Sequence, residues 1–376
     1  MDRKWLQCEE TRKRIVMRIC IVVGTRPEII KMSPIIRECE NRGIDYFMIH
    51  TNQHYSYTMD RIFFEELQLP EPKYNLEIGS GTHGVQTGKM LMALEKTYTK
   101  EKPSLVLVEG DTNTVLAAAL AASKCHIDVG HVEAGLRSFD KTMPEEINRL
   151  LTDHLSSNLF APTEVSKKNL TNEGISEDKI YVVGNTIVDA TLYNLKIAKT
   201  RSKILDQLNL AENYYFLLTL HRQENVDDKK RLESIITSLE EIESKFDIPL
   251  IYPIHPRADK MMKEFGLKSR LEGIPGIKLI EPVGYLDFLV LEKGAKLVLT
   301  DSGGVQEEAC ILNVPCVTLR YSTERPETVS VGKNVVVGVE KDDVLKGVIG
   351  ILDKELSPEN PFGDGKTGQK IVDILV

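Results

Sequence analysis

Ile127-Asp128-Val129-Gly130-His131-Val132-Glu133-Ala134-Gly135-Leu136-Arg137-Ser138-Phe139-Asp140-Lys141-Thr142-Met143-Pro144-Glu145-Glu146-Ile147-Asn148-Arg149 is the stretch on which the fold turns. Ile127 to Val132 reads as a buried strand. The Gly-rich polar run after it reads as a loop, and Pro144 suits the first position of a helix. The segment is therefore a strand-loop-helix unit with acids at its turns. Glu133 at the strand end, Arg137, and Glu145 and Glu146 at the helix start make the loop a candidate for chemistry. The plainer alternative is a solvated connection with one helix-capping acid.

Working outward, the same pattern recurs. Leu105 to Val108 is an apolar strand, Glu109 to Thr114 a turn, and Val115 to Ser123 an Ala-rich helix. Asp111 in that turn fits a helix cap as well as a site residue. Asp111 and Glu133 stand on successive βα units, and a parallel sheet brings such loops to one edge, where open α/β sheets bind ligands. Arg18 to Val23 is another strand, and Gly24-Thr25-Arg26-Pro27-Glu28 turns it into a helix beginning at Pro27. Arg26 and Lys31 add positive charge to a helix N-terminus that already favours anions.

Tyr46 to His50 is a further strand. Gly79 to Gly84 matches GxGxxG, but the preceding Tyr74 to Ile78 is short and half polar, so a loop leading into a helix around Met90 to Leu94 is expected rather than a dinucleotide fold. Leu155 to Ala161 and Ile180 to Val183 read as strands, with a helix starting at Pro162-Thr163 between them.

After Gly184-Asn185-Thr186 the chain is polar and helical through Arg201, and the alternation then starts again. Tyr215 to Leu220 leads into His221-Arg222-Gln223-Glu224-Asn225, and Pro249 to Ile254 into His255-Pro256-Arg257. Lys296 to Thr300 leads into Asp301-Ser302-Gly303-Gly304-Val305-Gln306-Glu307-Glu308. Ser302 is placed to cap a helix there, and the two glycines let backbone amides approach a diphosphate. Glu308 falls about one turn along, within reach of vicinal ribose hydroxyls. Arg325 is a candidate for the same anion. Pro315 to Leu319 follows as a strand, Lys341 to Asp353 as a helix, and Gly368 to Val376 as a last amphipathic helix.

Composition agrees with two domains. The chain has 376 residues, 41% hydrophobic and 28% charged, which is long for one core. The expected boundaries are an N-terminal extension over 1–16, a first domain over 17–185, a second over 186–360, and a C-terminal helix over 361–376 that crosses back to the first. A formal charge of -8 without a basic stripe argues against nucleic acid. Six cysteines without a CxxC pair fit a reducing cytoplasm and no metal site. No apolar run reaches the roughly 18 residues of a membrane span, and no signal-peptide h-region opens the chain.

Taken together, Gly24-Thr25-Arg26-Pro27-Glu28, Gly110-Asp111-Thr112, His131 to Arg137, Pro144-Glu145-Glu146, Asp301 to Gly304, Gln306-Glu307-Glu308 and Glu324-Arg325-Pro326-Glu327 resemble the non-hydrolysing UDP-N-acetylglucosamine 2-epimerase family. The motifs occur in the family's order from Met17 onward. The resemblance implies two Rossmann-like doubly wound α/β domains facing a cleft, as in glycosyltransferase-B architecture. It implies a cytoplasmic homodimer that interconverts UDP-GlcNAc and UDP-ManNAc for polysaccharide biosynthesis without a redox cofactor. It also places Arg26, Lys31, Ser302, Gly303, Gly304, Glu308 and Arg325 on nucleotide or phosphate positions, and Asp111, Glu133, Glu145 and His221 on catalytic ones. A second UDP-GlcNAc, acting as activator, would meet Gln53 and His54, although the following loop, Gly81-Thr82-His83-Gly84, lacks the family's arginine.

The implied chemistry explains the acids. The C2 proton of the sugar is not next to a carbonyl, so removing it while UDP departs from C1 avoids an unstabilised carbanion and gives 2-acetamidoglucal plus UDP. Re-addition from the other face of C2 calls for acid/base groups on both faces. His221 is suited to the departing diphosphate. A hydrolysing relative that releases UDP and ManNAc, an acceptor-using glycosyltransferase and a silent UDP-sugar sensor remain the alternatives at this point.

Overall fold

The computed structural model describes residues 17–52 and 63–376; the extension over 1–16 and the activator candidates Gln53 and His54 lie outside the described residues. The chain forms two compact units, Met1–Val183 with Gly368–Val376, and Gly184–Thr367.

The first unit holds β1 (Ile19–Val23), β2 (Tyr46–His50), β3 (Tyr74–Asn75), β4 (Leu105–Glu109), β5 (Asp128–Val132), β6 (Asn158–Ala161) and β7 (Ile180–Val182). They form one parallel sheet in the order β3-β2-β1-β4-β5-β6-β7. All five residues of β1 and of β4 are buried, as expected of strands covered by helices on both faces. The helix Asn113–Lys124 owes its fit to size: Ala117, Ala118, Ala119, Ala121 and Ala122 are all buried against the sheet and its neighbours.

The second unit repeats the plan with β8 (Phe216–Thr219), β9 (Leu250–Pro253), β10 (Ile277–Ile280), β11 (Leu297–Thr300), β12 (Cys316–Thr318) and β13 (Asn334–Val336), ordered β10-β9-β8-β11-β12-β13 and again parallel. Its core gathers Leu218, Tyr252 and Leu299 from the strands with Ile235 and Leu239 from the helix Lys229–Phe246. Both units are thus Rossmann-like and doubly wound, the expected fold class. In each the strand order reverses between the first and fourth strands, β1/β4 and β8/β11, and the crevice beyond that reversal is where open α/β sheets bind ligands.

Several local expectations need correction. Leu155 ends the helix Pro144–Leu155 instead of opening a strand, and β6 starts at Asn158. β10 and β13 were not read at all, being four and three residues long. The reading of Gly79 to Gly84 as a loop into a helix, by contrast, holds: the GxGxxG match follows only the two-residue edge strand β3 and runs into the helix His83–Glu101. Among the described residues no helix is long and apolar enough to cross a membrane.

Candidate active site

In the first unit, acids collect at the C-terminal ends of β1, β4 and β5. The β1 turn is built by close approach: a Cβ on Gly24 would stand 2.1 Å from Thr114 Oγ1 and 2.4 Å from Thr51 Oγ1. Glu28 then ties this turn to the next. Its carboxylate accepts hydrogen bonds from the Gly24 and Thr25 amides on one side and from Thr112 Oγ1 on the other. Burial pushes Glu28 up to about 7, against the hydrogen bonds from Thr112, Gly24 and Thr25 that favour the ion.

Asp111 is not the helix cap that its position suggests. Thr112 occupies the N-cap of Asn113–Lys124 and accepts from the Thr114 amide at 3.2 Å. This frees Asp111, whose carboxylate meets Arg149. The Gly110 carbonyl is held from the neighbouring strand by His131 Nε2 at 2.9 Å, while His131 Nδ1 lies 2.6 Å from Asp153 Oδ1. Asp153 also accepts from Arg137 at 2.7 Å and from the Gly135 amide at 3.2 Å. Burial opposes its charge, but His131 and Arg137 outweigh burial and hold it below the usual carboxylate range. Arg137 is therefore a buried strut of this loop, paired with Asp153 and Glu173.

The loop treats its two adjacent acids differently. Glu146 is buried and accepts from the Ser138 and Phe139 amides and from Arg149, so it staples the loop onto the helix. Glu145 is half-buried and has no hydrogen bond or ion pair to the described residues. Glu133 adopts φ 69°, in the left-handed region. Such a conformation in a residue with a long side chain marks a position whose aim is imposed by its surroundings. Lys31 bridges Glu133 and Glu109, at 3.3 Å from the latter. Arg26 is exposed and lies over the Phe63 ring, 5.8 Å from its centroid.

In the second unit the same topological position is basic and glycine-rich. Gly303 and Gly304 open the helix Gly303–Leu312, and a Cβ on either would meet nothing closer than 3.9 Å. Protein packing therefore does not require them, although glycine costs a helix about 1 kcal/mol relative to alanine. The open space above them leaves free amides at a positive helix end, an anion cradle. Ser302 sits at the N-cap but makes no capping bond, which corrects the expected role; its amide donates to Thr300 Oγ1 at 2.9 Å.

Asp301 is fully buried and accepts from the amides of His221 (3.1 Å) and Arg222 (3.0 Å), with its Oδ1 3.2 Å from His221 Nδ1. His221 thus has a fixed ring and a half-exposed edge. Arg222, which the sequence reading passed over, brings its guanidinium to 4.0 Å from the Cβ position of Gly303, while its buried Nε has no hydrogen-bond partner. Its signal is the His221-Arg222 pair just beyond β8.

Glu308 is buried and accepts from Tyr285 Oη at 2.9 Å. Arg325 pairs with Glu307 at 2.6 Å, at the mouth of the same helix. Next to His221, a cavity of about 160 Å³ is lined by His255, Pro253, Pro282, Val283 and Phe288. The His221 and His255 rings lie 5.8 Å apart, and burial together with the neighbouring His221 lowers His255 below its ordinary value.

Fold and site together define a Rossmann-type α/β protein with one acid-rich and one anion-directed strand-end cluster. The family model described as UDP-N-acetylglucosamine 2-epimerase matches residues 37–376. The UDP-N-acetylglucosamine 2-epimerase of Methanocaldococcus jannaschii is 63% identical over 361 residues, spanning 96% of this chain and 99% of the relative. A crystal structure of the M. jannaschii UDP-GlcNAc 2-epimerase in complex with UDP-GlcNAc and UDP superposes with a TM-score of 0.88, at 63% identity and coverage of 96% and 99%. The enzyme of Neisseria meningitidis bound to UDP-GlcNAc gives 0.86 at 35% identity, with coverage of 96% and 99%. The chain belongs to the UDP-N-acetylglucosamine 2-epimerase family.

Proposed function

We propose that this chain interconverts UDP-GlcNAc and UDP-ManNAc without net hydrolysis, by eliminating UDP to 2-acetamidoglucal and adding it back. The carrying observation is the set Asp111, Glu133 and Glu145, three acids at strand and helix ends of a doubly wound unit, of which Glu145 has no partner among the described residues and Glu133 is held in a left-handed conformation. In this reading a carboxylate takes the C2 proton as the C1–O bond breaks, and the electron pair of the C–H bond becomes the C1–C2 double bond. UDP leaves with the bonding pair of C1–O. A carboxyl on the other face returns a proton to C2 as UDP re-adds at C1.

The amides of Gly303 and Gly304, with Arg222 and Arg325, are assigned to the diphosphate, and Glu308 to the ribose hydroxyls. His221, its ring oriented by Asp301, is assigned to the leaving diphosphate. The apolar cavity beside His255 suits the flat uracil ring. Lys31 is assigned to the acids rather than to phosphate, since its ammonium is taken up by Glu109 and Glu133. A homodimer in the cytoplasm, supplying polysaccharide synthesis, is the form that the family resemblance assigns. Incubation with UDP-GlcNAc alone, followed by proton NMR, tests the reading. It predicts UDP-ManNAc rising to a constant ratio. Steady accumulation of UDP with free ManNAc would make the chain a hydrolase, and an unchanged spectrum would make it a binding protein.

A further inference from the structure

Glu109 closes β4 one residue before the Gly110-Asp111 turn, and the mechanism above gives it no part. β4 and β5 run parallel with Glu109 level with Val132, which sets Glu109 beside the strand end that carries Glu133. The Glu109 carboxyl is 2% exposed and that of Glu133 4%. Lys31, from the helix Arg26–Arg42, reaches both, and Glu28 on the same helix is the further acid facing the group. Two ionised carboxylates around one ammonium would leave a net negative charge out of water, with Glu28 nearby to aggravate it. Buried groups in that position retain a proton instead.

We propose that Glu109 is a positioning residue that keeps its proton and donates it in a hydrogen bond to the Glu133 carboxylate, so that the two acids and Lys31 form a neutral trio with Glu133 as its ionised member. This rests on the epimerase reading for its purpose, since it makes Glu133 the member free to accept a proton. Burial and the neighbouring Glu133 push Glu109 well above the usual carboxylate range, against the pull of Lys31. When Glu133 acts as base it gains the C2 proton while Glu109 retains its own. The trio then carries the single positive charge of Lys31 until Glu133 passes that proton to solvent, while a carboxyl on the other face protonates C2. On the alkaline side Glu109 ionises, and the ordered pair is lost.

Infrared difference spectroscopy of the full chain, wild type minus Glu109→Gln, reads this proton directly. The expected result at neutral pH is a protonated-carboxyl band that shifts in D₂O and vanishes in alkali; the contributions of the other raised acids, Glu28 and Glu292, cancel in the difference. The Gln variant, whose amide N–H donates in place of the acid O–H, should keep kcat within about threefold, whereas Glu109→Leu, which removes the donor, should lose about tenfold or more in kcat through misaiming of Glu133, with KM changed less than about twofold. Glu109→Asp, which keeps the acid on a shorter arm, should retain a protonated band and keep more of kcat than the Leu variant. No band in the difference, or a Leu variant with the kcat of wild type, overturns the proposal. The spectrum reports the proton whether or not UDP-GlcNAc is turned over, so loss of the epimerase reading and loss of the carboxyl pair are separate results.

Discussion

The two units share a strand order and differ in what stands at the strand reversal. At the ends of β1, β4 and β5 the first unit places Glu28, Glu109, Asp111 and Glu133; beyond β8 and β11 the second places His221, Arg222 and the amides of Gly303 and Gly304. Their glycines differ in the same way. Gly24 is demanded by the side chains of Thr51 and Thr114, whereas Gly303 and Gly304 have no protein neighbour that demands them. One scaffold thus yields an acid/base site when its turns are filled with buried carboxylates, and an anion cradle when they are left open. Fold alone does not choose between these; the residues on the turns do.

The largest effect that could break this comparison is structural. Asp153 is fully buried and holds His131, Arg137 and the Gly135 amide at once. Asp153→Ala should cost about 3 to 5 kcal/mol in denaturant unfolding by leaving the buried Arg137 cation and the His131 ring without their partner. Because Asp153 is held below the ordinary carboxylate range, its stabilisation is present above that range and lost as the pH falls through its folded value. Acid titration of the midpoint should therefore be flatter in Asp153→Asn. A mild, pH-independent loss would mean that the loop does not depend on this acid.

Next in size is the division of labour itself. Asp111→Asn, Glu133→Gln and Glu145→Gln should each lower kcat by roughly 10²-fold or more while UDP affinity stays near wild type. Near-wild-type rates in all three would put the chemistry on other residues. Smaller is the complementary test in the second unit. Glu308→Ala should weaken UDP binding by about 1.5 to 3 kcal/mol, read by calorimetry, through loss of hydrogen bonds to a charged group. An unchanged affinity would remove Glu308 from the ribose site and blur the contrast between the units.

Much of this arrangement was legible in the sequence because strand ends in a parallel sheet are strongly punctuated. Apolar runs such as Leu105 to Val108 and Leu297 to Thr300 stop abruptly at Gly110-Asp111 and Asp301-Ser302-Gly303-Gly304, and the structure ends β4 and β11 there. Short edge strands gave no such signal: β10 alternates buried Ile277 with exposed Lys278, and β13 is only three residues long. Capping was misassigned at the helix Gly303–Leu312 and left open at Asn113–Lys124. An acid or a serine in the right place is compatible with a cap, and only the geometry shows Thr112 taking that role from Asp111 and Ser302 leaving it unfilled. Arg222 and Glu109 escaped notice for a related reason. Each is one residue from a motif position; Glu109 matters through its burial and its distant partner Lys31, and Arg222 through a buried Nε without a partner among the described residues and a guanidinium beside the distant Gly303.

The most direct test of the account is epimerisation in D₂O starting from UDP-GlcNAc, followed by proton NMR and mass spectrometry. Elimination and re-addition by carboxylates predicts one solvent deuterium at C2 of both UDP-GlcNAc and UDP-ManNAc, with traces of 2-acetamidoglucal and UDP. Conversion that keeps the original hydrogen at C2 throughout would contradict it.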